Sequence, residues 1–201
     1  MLNVAVLVSG GGTNLQALIN AKQNNELKHC NLSLVISNKK NAYALTRAEE
    51  NNIKTAVVVK KKDMTSFEYG ELLITVLKEN NIDLIVLAGF LVILDKNVIT
   101  TYKDKIINIH PSLIPSFSGD GYYGLKVHEE VLKRGVKVTG ATVHLVNEIT
   151  DGGKILAQKA VNVLPGDDAV TLQERVMREA EWVLLSQEVE KLAKKECENK
   201  C

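Results

Sequence analysis

From residue 3 to residue 109 the chain alternates short apolar runs with amphipathic stretches, and this rhythm limits its fold more than any other feature. The pattern predicts strands over residues 3–8, 32–37, 55–59, 84–87 and 106–109. Residues 14–24, 42–51, 64–80 and 95–102 carry helical spacing between them, as Met64, Phe67, Leu72, Leu73, Val76 and Leu77 illustrate. Leu84-Ile85-Val86-Leu87 has no polar face, which suits a parallel strand covered on both sides. Strands that alternate with helices predict an α/β fold with a doubly wound, mostly parallel sheet. Beyond residue 109 the rhythm changes. Two strands, 137–146 and 154–163, flank a loop containing Asp151-Gly152-Gly153 and read as a hairpin. One long helix, 168–196, closes the chain on a stripe that includes Val176, Met177, Ala180, Val183 and Leu184. No linker or repeat interrupts the 201 residues, so a single domain is expected.

Composition narrows the partners. Hydrophobic residues make up 45% and charged residues 24%, with a net charge of +1, so nothing calls for a nucleic-acid partner. Lys60-Lys61-Lys62 reads as a solvated loop. Cys30, Cys197 and Cys201 show neither paired spacing nor a histidine cluster, so no disulfide or metal is expected and a cytoplasmic setting fits. The apolar N-terminus runs straight into glycines and reads as a strand, not a signal peptide. The apolar run 84–94 contains Gly89 and is too short to span a membrane.

The chemistry concentrates in Asn108-Ile109-His110-Pro111-Ser112-Leu113. Side chains alternate along a strand, so Asn108 and His110 share a face, about 7 Å apart. Pro111 cannot donate to a ladder and should end the strand. The pair then sits at the carboxyl end of a strand, where open α/β sheets hold ligands. An amide that can bind an oxyanion beside an imidazole that can move a proton is acyl-transfer equipment. Asp151 has two readings. It is either the Asp of an Asp-Gly turn or, if the hairpin loop folds back, a partner for the histidine. His144, two residues from Thr142, either reaches the same site or packs beside it. His29 and His128 fit no constellation.

Ser9-Gly10-Gly11-Gly12-Thr13-Asn14-Leu15 joins the first strand to the first helix, where backbone N–H groups and the helix N-terminus favour an anion. A dinucleotide fingerprint would need a small residue where Leu15 stands and an acid where Ser37-Asn38-Lys39 stands. A triphosphate loop fails as well, because no Gly-Lys-Ser/Thr follows. A phosphate-monoester loop survives, with Thr13 or Asn14 as N-cap, beside the plain alternative of a tight turn.

Taken together, Ser9–Leu15, the run 87–94, Asn108-Ile109-His110-Pro111-Ser112-Leu113-Ile114-Pro115, Thr142-Val143-His144 and Asp151-Gly152-Gly153 resemble the phosphoribosylglycinamide formyltransferases of the folate-dependent formyltransferase family. The likeness covers essentially the whole chain, in order. It implies the Rossmann-like formyltransferase fold, with residues 1–105 as the phosphate-binding half and 106–201 as the catalytic and folate-binding half. The implied reaction is formyl transfer from 10-formyltetrahydrofolate to the ribotide amine in purine synthesis, with no metal. By position, Gly12, Thr13 and Asn14 would bind substrate phosphate. Leu91, Val92, Ile93 and Leu94 would line the folate pocket, largely through backbone groups. Asn108 and His110 would flank the formyl carbon, Asp151 would polarise the histidine, and Glu181 would meet the substrate's amine end. The partners are then small molecules, on a monomer or weak homodimer.

The chain departs from the family pattern in three places. Val92 and Phe67 stand where relatives often carry a basic residue, which predicts weak discrimination by folate tail length. The segment 119–124 is longer than in many relatives and reshapes a loop beside the site. A formyltetrahydrofolate hydrolase would be expected to carry an extra N-terminal domain, and a methionyl-tRNA formyltransferase a C-terminal domain and a basic surface. A non-catalytic sugar-phosphate binder would not need Asn108, His110 and Asp151 together.

Overall fold

The computed structural model describes residues 1–199; Cys201, counted among the cysteines above, lies outside the described residues. Strands β1 (Leu2–Val8), β2 (Cys30–Ser37), β3 (Lys54–Val57), β4 (Leu84–Leu87) and β5 (Ile106–His110) are joined by helices α1 (Thr13–Gln23), α2 (Tyr43–Glu50), α3 (Ser66–Glu79) and α4 (Lys96–Thr101). Helix α5 (Leu125–Arg134) then leads to the hairpin of β6 (Val138–Leu145) and β7 (Ile155–Asn162). The seven strands form one sheet in the order β3-β2-β1-β4-β5-β6-β7. Pairs from β3 to β5 are parallel, while β5–β6 and β6–β7 are antiparallel.

Period-2 alternation in the strands explains the two cores. Val4, Val6, Val8, Val86 and Ile107 point to one face, where Leu15, Leu18, Leu45, Leu172 and Leu185 cover them. Ala5, Leu7, Ile85, Leu87 and Ile106 point to the other, against Leu73, Leu77 and Val98. Burying a side chain of this size stabilises by about 1.5–3 kcal/mol, so the two faces together hold the sheet. Helix α3 starts on a capping box: Glu68 N–H donates to Thr65 Oγ1 over 3.1 Å, and Thr65 N–H donates back to Glu68 Oε2 over 2.8 Å. Strand order reverses between β1 and β4, and at such a switch point the loops after both strands open a crevice.

Two elements differ from the sequence reading. Helix α5 lies in a stretch to which the periodicity assigned nothing. The expected long closing helix is present and unbroken, but it is not α throughout: α6 (Ala169–Val176) passes through a π-helical segment (Met177–Glu181) into α7 (Trp182–Asn199). Among the described residues no helix is long and apolar enough to cross a membrane.

Candidate active site

Strand β5 ends at His110, directly before Pro111. Its side chains Ile107 and Ile109 enter one core, which leaves Asn108 and His110 together on the opposite face. On the neighbouring antiparallel strand, His144 stands opposite Asn108 and Thr142 opposite His110. The loop after β6 folds back over this face and delivers Asp151. Its carboxylate lies 3.4 Å from His110 Nδ1 through Oδ2 and 3.5 Å from His144 Nε2 through Oδ1. The two placements considered for Asp151 do not exclude each other. It occupies the left-handed turn position, with φ 54°, and it faces the histidine.

The hydrogen bonds fix which atoms face where. His144 Nδ1 lies 2.8 Å from the Leu145 carbonyl, which can only accept, so this nitrogen carries the proton. Its Nε2 is then free to accept from Asn108 Nδ2 over 3.1 Å. Asn108 Nδ2 also reaches Asp151 Oδ1 at 3.4 Å, a long contact that an arriving ligand oxygen can replace. Gly119 N–H donates to Asp151 Oδ2 over 2.9 Å.

Burial lowers the His110 pKa from its ordinary value, and His144 adds to the effect; the Asp151 charge and the Phe117 carbonyl pull the other way. Burial raises the Asp151 carboxyl, but the His144 contact, the His110 charge and the Gly119 N–H outweigh it and hold the group below the usual carboxylate range. An ionised carboxylate beside a largely neutral imidazole is the state in which a proton can be received.

Asn108, His110 and Asp151 share one wall of a cavity of about 330 Å³. Leu91, Val92, Ile93 and Leu94 line the same cavity, and the segment Gly119–Gly124 forms another side. The volume lies at the small end for ligand sites, and the lining is mostly apolar with a few convergent polar groups. Val92 is half-buried against the second core, while Phe67 is 58% exposed.

The glycine loop lies across the switch point. Gly12, with φ 73°, is the N-cap of α1, so neither Thr13 nor Asn14 caps the helix as the sequence had suggested. A left-handed cap needs glycine, and Ala44 packs too close to admit a Cβ there. The carbonyls of Gly10 and Gly11 accept from Ala44 N–H and Arg47 Nε, which turns them toward α2. Thr13 Oγ1 approaches Met177 Sδ at 3.6 Å, and Asn14 Nδ2 donates to Glu181 Oε2 over 2.7 Å. Asn14 and Glu181 are thus a buried pair between α1 and the π-helical segment.

Ser9 opens the glycine loop in the sequence, but the sequence reading gave it no role of its own. Ser9 donates to Asn38 Oδ1 over 2.7 Å and accepts from Leu91 N–H over 2.8 Å, which ties the end of β1 to the loop 89–94. A serine at a strand end before glycines was the available signal. His128 is fully buried on α5, whereas His29 pairs with Glu190 on α7 away from the cavity.

A parallel sheet with a switch-point crevice, an antiparallel hairpin returning an acid over an Asn–His pair, and an apolar slot beside them define an acyl-transfer site on a Rossmann-like scaffold. The formyl transferase family model matches residues 2–187, and the chain belongs to that family. Its relatives carry a narrower name. The phosphoribosylglycinamide formyltransferase of Haemophilus influenzae is 38% identical over 182 residues, covering 90% of this chain and 82% of its own. The trifunctional purine biosynthetic protein adenosine-3 of Gallus gallus is 44% identical over 180 residues, covering 90% of this chain but 17% of its own length. This chain therefore spans only a small part of the trifunctional relatives. The crystal structure of glycinamide ribonucleotide transformylase 1 from Symbiobacterium toebii superposes with a TM-score of 0.90 at 32% identity, covering 97% of this chain and 89% of that one.

Proposed function

We propose that the protein transfers the formyl group of 10-formyltetrahydrofolate to the amine of phosphoribosylglycinamide, in de novo purine biosynthesis. The products are phosphoribosyl-N-formylglycinamide and tetrahydrofolate. The observation that carries this reading is the convergence of Asn108, His110 and Asp151 on one cavity wall. The relatives' names support the acceptor and the formyl group, and the family resemblance supports the folate donor. The folate enters the slot lined by Leu91, Val92, Ile93 and Leu94, and the phosphate meets the loop at Gly12, Thr13 and Asn14. Since the Asn14 side chain is engaged with Glu181, backbone N–H groups carry the phosphate contact. Residues 1–105 serve as the phosphate half and 106–201 as the catalytic half of one domain. The setting is cytoplasmic, with small-molecule partners.

The chemistry follows from the groups present. As the amine nitrogen attacks the formyl carbon, a C–N bond forms and the carbonyl electrons move onto oxygen. Asn108 Nδ2 trades its long Asp151 contact for that oxyanion; one such donor is typically worth about 10²–10³ in rate. His110, neutral before reaction, takes the proton shed by the amine, by way of Asp151 and solvent. The resulting imidazolium then faces the oxyanion. When the carbonyl re-forms, the bond to the folate nitrogen breaks and the proton passes to that nitrogen. No covalent enzyme intermediate is required.

The test supplies 10-formyltetrahydrofolate with and without the ribotide and follows tetrahydrofolate release. Release that depends on ribotide is expected. Release without it would make the protein a hydrolase, and no release in either arm would make it a binder.

A further inference from the structure

His110 Nε2 lies 2.8 Å from the carbonyl oxygen of Phe117. A carbonyl oxygen only accepts, so Nε2 must carry a hydrogen in this arrangement. In the neutral ring Nδ1 is then the basic nitrogen. Its contact with Asp151 Oδ2, at 3.4 Å, is longer than a charge-assisted hydrogen bond, so Nδ1 is not consumed by the acid.

The Phe117 carbonyl reaches His110 because of an unusual backbone. Phe117 has φ 50°, in the left-handed region that bulky residues avoid. Such a conformation persists only where the surroundings over-determine it. Here they do. Thr142 Oγ1 donates to the Ser112 carbonyl over 2.6 Å, and Ser112 Oγ donates to the Ser116 carbonyl over 2.6 Å. Ser118 Oγ donates to the Pro115 carbonyl over 3.0 Å. The Phe117 ring stands edge-on to Tyr122, with centroids 6.3 Å apart. Two residues later, the Gly119 N–H holds Asp151. One three-residue segment therefore grips both members of the His–Asp pair.

We infer that Phe117 is a positioning residue: its inward carbonyl fixes His110 as the Nε2–H tautomer, so that Nδ1 is the nitrogen that gains and loses the proton during transfer. The opposite tautomer would place a lone pair against the Phe117 carbonyl and a hydrogen on Nδ1, leaving no basic nitrogen toward Asp151. The catalytic consequence rests on the formyl-transfer reading, but the tautomer itself does not.

The experiment uses the full chain labelled with ¹⁵N-histidine, with His110 assigned by comparison with His110→Asn. Long-range proton–nitrogen correlation spectra above neutral pH should show the Nε2–H form. An Nδ1–H ring, or an even mixture, would overturn the proposal whether or not the protein transfers formyl groups. Phe117→Gly keeps the left-handed backbone and should keep the tautomer. Phe117→Pro cannot adopt positive φ, so it should lose the tautomer preference and about 10² in kcat, with a smaller change in folate KM. A folded Phe117→Pro with unchanged kcat would also count against the proposal, and if that variant does not fold, the wild-type spectrum decides.

Discussion

His144 and Asn108 stand directly opposite each other across the β5–β6 ladder, with His144 Nε2 3.1 Å from Asn108 Nδ2. Because the other His144 nitrogen is committed to the Leu145 carbonyl, Nε2 can only accept in the neutral ring. The amide of Asn108 is thereby turned with its NH₂ toward His144 and Asp151. His144 thus holds in place the amide proposed as the oxyanion donor.

Removing the acceptor should release the amide. His144→Phe is expected to lower kcat by roughly tenfold to 10²-fold, less than outright loss of an oxyanion donor. Folate KM should move less than kcat. Steady-state kinetics in both substrates checks the split.

Asp151→Asn separates the turn from the chemistry. Asn tolerates the left-handed turn position as well as Asp does, so the melting temperature should change little. The charge that keeps imidazolium accessible disappears, and with it a proton acceptor. We expect kcat to fall at least about 10²-fold, and the His–Asp ionisation to shift or vanish from the pH–rate profile. A near-normal kcat would return Asp151 to a purely structural role.

The proposed phosphate loop is best tested at Gly11. At Gly12 any side chain would meet Ala44 and strain a φ of 73°, so a fold defect would mask a binding defect. A Cβ on Gly11 meets nothing within 4 Å. Gly11→Val should raise the ribotide KM well above any change in folate KM, with stability retained. Equal losses for both substrates would argue against a phosphate site.

Glu181 has a pKa raised to about 7, chiefly by burial, with the Asn14 hydrogen bond opposing. The folded state holds the proton more tightly than the unfolded chain does, so this stabilising contribution is complete below the ordinary carboxylate pKa. It is lost as pH rises toward 7. Glu181→Gln cannot ionise and can still accept from Asn14. Above pH 7 it should be more stable than wild type by up to roughly 3 kcal/mol, with the gap closing on acidification. Urea titrations at pH 4.5 and 8 measure this, and a raised ribotide KM in the same variant would support contact with the substrate's amine end.

His128 has the opposite sign. Burial, assisted by the nearby His110 charge, lowers its pKa to about 4, and neither ring nitrogen has a hydrogen-bond partner among the described residues. Between pH 6.5 and 4 the unfolded chain binds the extra proton and the folded chain does not. Stability is therefore present above 6.5 and lost as pH falls through that window, by roughly 3 kcal/mol from this residue. His128→Leu should flatten the slope, which chemical denaturation across the window would show.

The parallel half of the sheet was legible because its strands lack a polar face and its helices keep an apolar stripe. Helix α5 was not, because its inward face is Val127, His128 and Val131, and the histidine breaks the apolar period. Glycines at both of its caps, Gly124 and Gly135, were the remaining signal. The π-helical segment was hidden for another reason: Val176, Ala180 and Leu184 keep an ordinary stripe through it. At the site, the strand period placed Asn108 and His110 on one face, but it did not decide whether His144 joins them, which the antiparallel register settles. The return of Asp151 depends on how the 147–153 loop folds, and the inward Phe117 carbonyl depends on a conformation for which phenylalanine has no preference.

The π-helical segment has a consequence for how such a site is acquired. A π turn holds one more residue than the α turn it replaces, so a single inserted amino acid can be absorbed within a helix while both flanks keep their register. Leu172 and Val176 before it, and Leu184 and Leu185 after it, all still reach the core. Glu181 is the final residue of that swollen turn and points at Asn14. Deleting one residue from 177–181 should therefore yield a straight, stable helix that no longer offers a carboxylate to the glycine loop. In this chain one extra residue within a helix is enough to turn an acidic group toward Asn14 while the packing residues on both flanks stay in the core.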